Sequence, residues 1–204
     1  HLIGEAGAPP SQAVPLLKAG LWHPDTGIAD LDALRAHWQG GQPVAAICFY
    51  RALVQSGSLQ SIEALVRALE TRGLNVLPIF ISSLKDEVGQ ETVRHVFGEA
   101  APSVVLASTG FAVSSPTGEA TGTVLDETGA VVLQIVLSGG SLEAWRQSDQ
   151  GLSARDLAMN VALPEVDGRV LSRAVAFKTA SRFDERVEAN IVRHEAEPSR
   201  IAFV

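Results

Sequence analysis

From Val44 onward the apolar positions come in blocks, and each block limits what its segment can be. Val44-Ala-Ala-Ile-Cys-Phe-Tyr50 is apolar without a break, which suits a strand covered on both faces. Between Ser58 and Arg72, the residues Ile62, Leu65, Val66 and Leu69 fall three and four apart. A helix puts them on one side, and Gly73 supplies its stop. Leu74 to Ile81 is the next buried strand and ends in Ser82-Ser83. Asp86 to Gly98 makes a second helix through Val93, Val96 and Phe97, and Ser103 to Ser108 a third strand ending in Thr109-Gly110. Residues 111 to 130 are rich in Ser, Thr, Gly and Pro and read as a loop. Ala130 to Leu137 is a fourth buried strand, Ser141 to Arg146 a short helix, and Val170 to Phe177 a fifth strand.

The first 42 residues follow a different rhythm. They are rich in Gly, Pro and Ala, with turn chemistry at Trp22-His-Pro-Asp-Thr-Gly27. Asp30 can cap a short helix whose Leu31, Leu34 and Trp38 share a face, before Gly40-Gly41-Gln42-Pro43 ends it. The expected organisation is an approach segment over 1–42, an α/β domain over 43–180 and a C-terminal connector over 181–204.

Strands alternating with helices predict a doubly wound, mostly parallel sheet of flavodoxin-like or Rossmann-like type with right-handed crossovers. Such sheets hold their ligands beyond the carboxyl ends of the strands. Those ends read Tyr50-Arg51, Ser82-Ser83, Thr109-Gly110-Phe111 and Ser138-Gly139-Gly140. Small polar residues there are also what short turns use, so placement alone does not separate the two roles.

Gly151 to Gly168 combines a helix with two acids. Ser153 is a natural N-cap, Asp156 can reach back to the free amides, and Leu152 with Leu157 has the spacing of a hydrophobic staple. Pro164 is expected to end the helix. If Glu165-Val166-Asp167 is then extended, both carboxylates project to one side. Their plain role is to lead a turn into the following strand.

Composition narrows the chemistry. Among 204 residues, 46% are hydrophobic and 19% charged, an ordinary folded balance. The net charge of −7 argues against nucleic acid and anionic membrane as partners. The lone Cys48 fits a reducing, cytoplasmic setting and excludes a cysteine-based metal site. His1, His23, His37, His95 and His194 have no paired metal-ligand spacing, so no metal ligands are assigned. His194 lies in the alternating stretch Asn190 to Glu195 and can face a site built with another segment. Gly57 before Ser58 can offer amides to an anion. There is no P-loop, dinucleotide fingerprint or nucleophile elbow. The chain starts at His1 and its single methionine is Met159, so it is expected to be a piece of a longer protein. Pro198 suits a first helical position, with Ile201 starting an apolar face left uncovered where the chain stops.

A set of motifs in order along the chain resembles the large subunit of aerobic cobaltochelatase (CobN-type), kin to the magnesium chelatase large subunit. They include Gly20-Leu-Trp-His-Pro-Asp25, Ile47-Cys-Phe-Tyr-Arg-Ala52, Phe80-Ile-Ser-Ser-Leu-Lys-Asp86, Ser108-Thr-Gly-Phe-Ala112, Gly151-Leu-Ser-Ala-Arg-Asp-Leu-Ala158 and Val161-Ala-Leu-Pro-Glu-Val-Asp-Gly168. Members of that family are several times longer, so this chain looks like one internal domain. The resemblance implies ATP-dependent insertion of Co²⁺, as substrate, into a corrin precursor, hydrogenobyrinic acid a,c-diamide, in cobalamin synthesis. It also implies two partner subunits that form the ATPase motor, and a fragment inactive by itself. On that reading Glu165 is the first candidate for base or transient metal ligand, with Asp167 and Glu143 behind it. Arg51, Ser82, Ser83, Lys85 and Thr109 become rim candidates for the substrate's carboxylates and amides. Two other readings stay open: a docking platform that touches no substrate, and a magnesium-branch domain that binds protoporphyrin.

Overall fold

The apolar runs become the middle of one sheet. The computed structural model describes residues 16–114, 122–185 and 188–204. Its strands are β1 (Ala19–His23), β2 (Gly27–Ala29), β3 (Val44–Tyr50), β4 (Asn75–Ile81), β5 (Val104–Ala107), β6 (Val131–Ser141), β7 (Val170–Asp184) and β8 (Ala189–Ala196). They lie in the order β2-β1-β4-β3-β5-β6-β7-β8. The five from β4 to β7 run parallel, while β1, β2 and β8 are antiparallel additions at the edges. Numbered along the chain, the parallel five have the flavodoxin-like order 2-1-3-4-5.

Side-chain alternation assigns the helices to the two faces. Ile47 and Phe49 of β3 point into the cluster with Ile62, Leu65 and Val66 of α3 (Gln60–Thr71). Ala46 and Cys48 point the other way, toward Val93, Val96 and Phe97 of α4 (Glu87–Ala100). Both faces of β3 are therefore buried, which explains its unbroken apolar run. The remaining helices are α1 (Leu31–Arg35), α2 (Arg51–Ser56), α5 (Leu142–Gln147), α6 (Ala154–Leu157), α7 (Leu163–Val166) and α8 (Pro198–Ile201). Asp30 and Asp86 cap α1 and α4 through their carboxylates, and Ser141 caps α5.

Several expectations change. The sheet crosses both expected domain limits, because β1 and β2 come from the approach segment and β8 from the connector. Residues 1–15 of that segment, with His1, lie outside the described residues, as do 115–121 of the long loop. Part of that loop is core, since Val124 and Leu125 are buried. Ile201, the last residue of α8, is buried as well, packed into the cluster with Ile62, Leu65 and Val66 of α3, while Phe203 beyond it stays exposed.

The largest revision concerns Pro164, which does not end the helix. A single π-helical turn over Ala158–Ala162 joins α6 to α7, with Leu163 N–H donating to Ala158 five residues back. The wider turn accommodates a ring that would clash in regular α geometry. Ser153 caps α6 by accepting from the Asp156 amide. Leu157 is exposed, so no staple closes against it. Glu165 thus sits on the last helical turn and Asp167 just past it, not on an extended segment.

Candidate functional site

Strand stagger builds the carboxyl edge. The register Leu106↔Leu133↔Val170 puts the start of β7 level with the end of β5. The turn before β7 therefore reaches the loop that leaves β5. Arg169 Nη1 donates to the Thr109 carbonyl at 2.6 Å and approaches Thr109 Oγ1 and Gln134 Oε1 at 3.2 Å. Its Nη2 pairs with Asp167 Oδ2 at 2.9 Å, and both side chains are fully buried. The Asp167 carboxylate also accepts from the Val113 and Ser114 amides at 2.8–3.0 Å. Asp167 and Thr109 are thus occupied in fixing the 109–114 loop. This corrects the expectation of two exposed, parallel carboxylates.

That loop presents Phe111 at the sheet edge. Phe111 has a φ of 56° and is 59% exposed. Left-handed backbone under a bulky side chain costs about 1–2 kcal/mol, and an exposed ring recovers little of it by packing. Phe111 lines two adjoining clefts.

The first, of about 270 Å³, lies beyond β3, β4 and β5 and is lined by Tyr50, Ser82, Ser83, Lys85, Thr109 and the 110–113 loop. Four of the five rim candidates meet there, at the sheet's switch point. Arg51, the first residue of α2, lines neither cleft. Tyr50 donates to the Gly110 carbonyl at 3.0 Å, and burial pushes its hydroxyl up to about 12, so it is a neutral donor. Ser82 Oγ is buried with no hydrogen-bond partner among the described residues.

The second cleft, of about 460 Å³, holds Asp156, Arg155, Lys178 and His194 beside Gly139 and Gly140. Lys178 and His194 are direct partners across β7 and β8. Asp156 is buried and accepts from Ser138 Oγ at 2.7 Å, Gly139 N at 3.1 Å and Asn160 Nδ2 at 3.3 Å. It therefore ties the helix to the end of β6 rather than capping its own turn. His194 Nε2 lies 3.1 Å from the Ser138 carbonyl, which can only accept, so Nε2 carries the proton and Nδ1 keeps its lone pair. Burial, and then the Lys178 charge, hold this imidazole below its ordinary value. At neutral pH it is an uncharged base.

Glu165 is exposed on α7, makes no side-chain hydrogen bond or ion pair among the described residues, and lines neither cleft. Glu143 is exposed on α5 and accepts from Gln147 Nε2 at 3.1 Å. Sequence reading missed Arg155, Lys178 and Phe111 as site residues and gave Asp156 a capping role. For Lys178, the signal was its place opposite His194 in a hairpin of alternating polar residues.

The matches to known proteins agree with this architecture. The family model CobN/Magnesium Chelatase matches residues 1–204. The aerobic cobaltochelatase subunit CobN of a Sinorhizobium species is 54% identical over 95% of this chain, which spans 16% of that protein's length. The chloroplastic magnesium-chelatase subunit ChlH of Oryza sativa subsp. indica is 29% identical over 74% of the chain and 12% of its own length. The catalytic subunit of cobaltochelatase from Mycobacterium tuberculosis has the same fold, with a TM-score of 0.70 at 24% identity over 98% of this chain and 16% of that one. Among the described residues no helix is long and apolar enough to cross a membrane. The chain belongs to the CobN/magnesium chelatase family.

Proposed function

We propose that this chain is one wall of the tetrapyrrole site of a cobaltochelatase large subunit, where a corrin precursor, hydrogenobyrinic acid a,c-diamide, receives Co²⁺. The observation that carries the reading is Phe111, a strained and exposed aromatic ring between two polar clefts at the carboxyl edge of the sheet. A planar macrocycle offers such a ring a stacking partner worth about 0.5–1.5 kcal/mol. Its peripheral carboxylates and amides would meet Lys85, Ser82 and Ser83 on one side and Lys178 and Arg155 on the other.

Metal insertion has to take protons from the ring nitrogens and strip water from the incoming cation. His194 Nδ1 supplies an uncharged base in the cleft. Glu165 supplies a carboxylate unengaged by any other described side chain, and it needs the rest of the subunit to close over the macrocycle. ATP would be hydrolysed by two partner subunits, the motor of the assembly. The platform reading is favoured by one observation, that Glu165 lines neither cleft. The two readings separate on Phe111→Gly. Tetrapyrrole titrated into the protein and followed by optical absorption should bind two- to tenfold more weakly to that variant, the equivalent of the stacking energy. Thermal stability should hold or rise as the left-handed strain is relieved. Absence of tetrapyrrole binding to the unaltered protein, or equal affinity for both forms, sinks the proposal.

A further inference from the structure

A second convergence of ligating side chains lies at the other end of the sheet. Because β1 runs antiparallel to β4, its last residue, His23, emerges near the amino ends of the parallel strands. The turn into β2 places Asp25 beside it, with Asp25 Oδ2 3.6 Å from His23 Nδ1. His37, just past α1, stacks on the His23 ring with centroids 4.2 Å apart and planes 23° apart. One ligating atom from each of the three lies within 4.8 Å of the others. Glu70 on α3 approaches His23 Nε2 at 3.0 Å. A carboxylate accepts only, so that nitrogen carries the proton and Nδ1 is left with its lone pair on the Asp25 side.

The plain alternative is a core histidine whose needs are met locally. Its Nδ1 accepts one long hydrogen bond, from the Asp25 amide at 3.3 Å, which a bound ion would replace. His37 is exposed, and its ring nitrogens have no hydrogen-bond partner among the described residues. An imidazole whose far nitrogen is fixed by a carboxylate is the arrangement that orients histidine ligands toward metals.

We propose that His23 Nδ1, Asp25 and His37 form a site for a borderline divalent transition ion of the Zn²⁺ or Co²⁺ kind, with Glu70 holding the His23 tautomer. Two nitrogens and one oxygen suit such ions and leave a fourth position for water. Tetrahedral bonds of about 2.0–2.1 Å need ligand atoms roughly 3.3 Å apart. The exposed Asp25 and His37 side chains close that gap while buried His23 stays still. Arg67, which pairs with both Asp25 and Glu70, competes with the ion for the Asp25 carboxylate.

Zn²⁺ titrated into the protein by calorimetry, with Co²⁺ as a visible-absorption probe, tests the site without reference to metal insertion. One equivalent should bind, and the cobalt bands should be those of a low-coordinate ion. His37→Ala and Asp25→Asn, both exposed positions, should each weaken binding at least tenfold. Arg67→Ala should tighten it, and His95→Ala on α4 should leave it unchanged. Binding without stoichiometry, or binding that survives both ligand substitutions in folded variants, overturns the site.

Discussion

Neutralising Asp167 would leave Arg169 buried with its cation uncompensated, and its Nε already has no hydrogen-bond partner among the described residues. Breaking a buried pair from one side typically costs about 3–5 kcal/mol. Asp167→Asn should therefore lower the unfolding free energy by that order, read as a lower urea midpoint at unchanged slope, and loosen the 109–114 loop that the carboxylate fixes. Glu165→Gln should change stability by less than about 0.5 kcal/mol, as expected for an exposed side chain outside any network. In the full subunit with its partners, the same substitution should slow metal insertion; undiminished turnover would remove Glu165 from the chemistry. His194 carries a pH signature of opposite kind. Its folded pKa is depressed, so the stability it contributes is fully present above its ordinary value of 6.5 and is lost as pH falls through the folded value. Lys178→Ala should raise the His194 midpoint in an NMR titration only part of the way to 6.5, because burial is the larger cause. No movement would mean that Lys178 does not face the ring.

The elements show what one-dimensional patterns carry and what they omit. Buried strands such as β3 and β4 are legible because a residue covered on both faces must be apolar, whatever its neighbours. The edge strands β1 and β2 look like turn and approach in the sequence, because a five-residue and a three-residue strand leave too little pattern. Pro164 carries the local signature of a helix stop, and a π-helical turn overrides it. The Asp167–Arg169 clamp was hidden because its partners lie more than fifty residues away in the loop after β5. Phe111 was visible only as part of a strand end, since no pattern predicts a left-handed aromatic. The tie between that loop and the helix makes its own prediction. A Cβ at Gly110 would lie 2.7 Å from the Met159 carbonyl and 3.2 Å from Asn160 Oδ1, both on the π-helical turn. Gly110→Ala should cost about 1–3 kcal/mol, as overpacking does. It should also weaken tetrapyrrole binding by moving Phe111; a variant as stable as the parent would mean that loop and helix are not in firm contact.

On the scale of the molecule, an acidic protein with a net charge of −7 repels an anionic ligand over most of its surface. Lys85 in one cleft and Arg155 and Lys178 in the other put three cations at one edge, on either side of Phe111. On the proposed reading, a tetrapyrrole that carries carboxylates would be drawn to that edge by charge and held there by stacking. The two contributions respond differently to salt, since charges more than about 10 Å apart are screened at 0.1 M while ring stacking is not. Affinity for a carboxylate-bearing tetrapyrrole should therefore fall as salt rises, and Lys178→Ala should flatten the dependence. A neutral ester of the same macrocycle should bind through Phe111 with little response to salt. If acid and ester share one salt dependence, the cations do not meet the substrate's periphery, and the clefts belong to docking within the larger subunit. If only the acid responds, the cations on either side of Phe111 meet the substrate's carboxylates, and His194, the cross-strand partner of Lys178, lies at the rim of the same cleft.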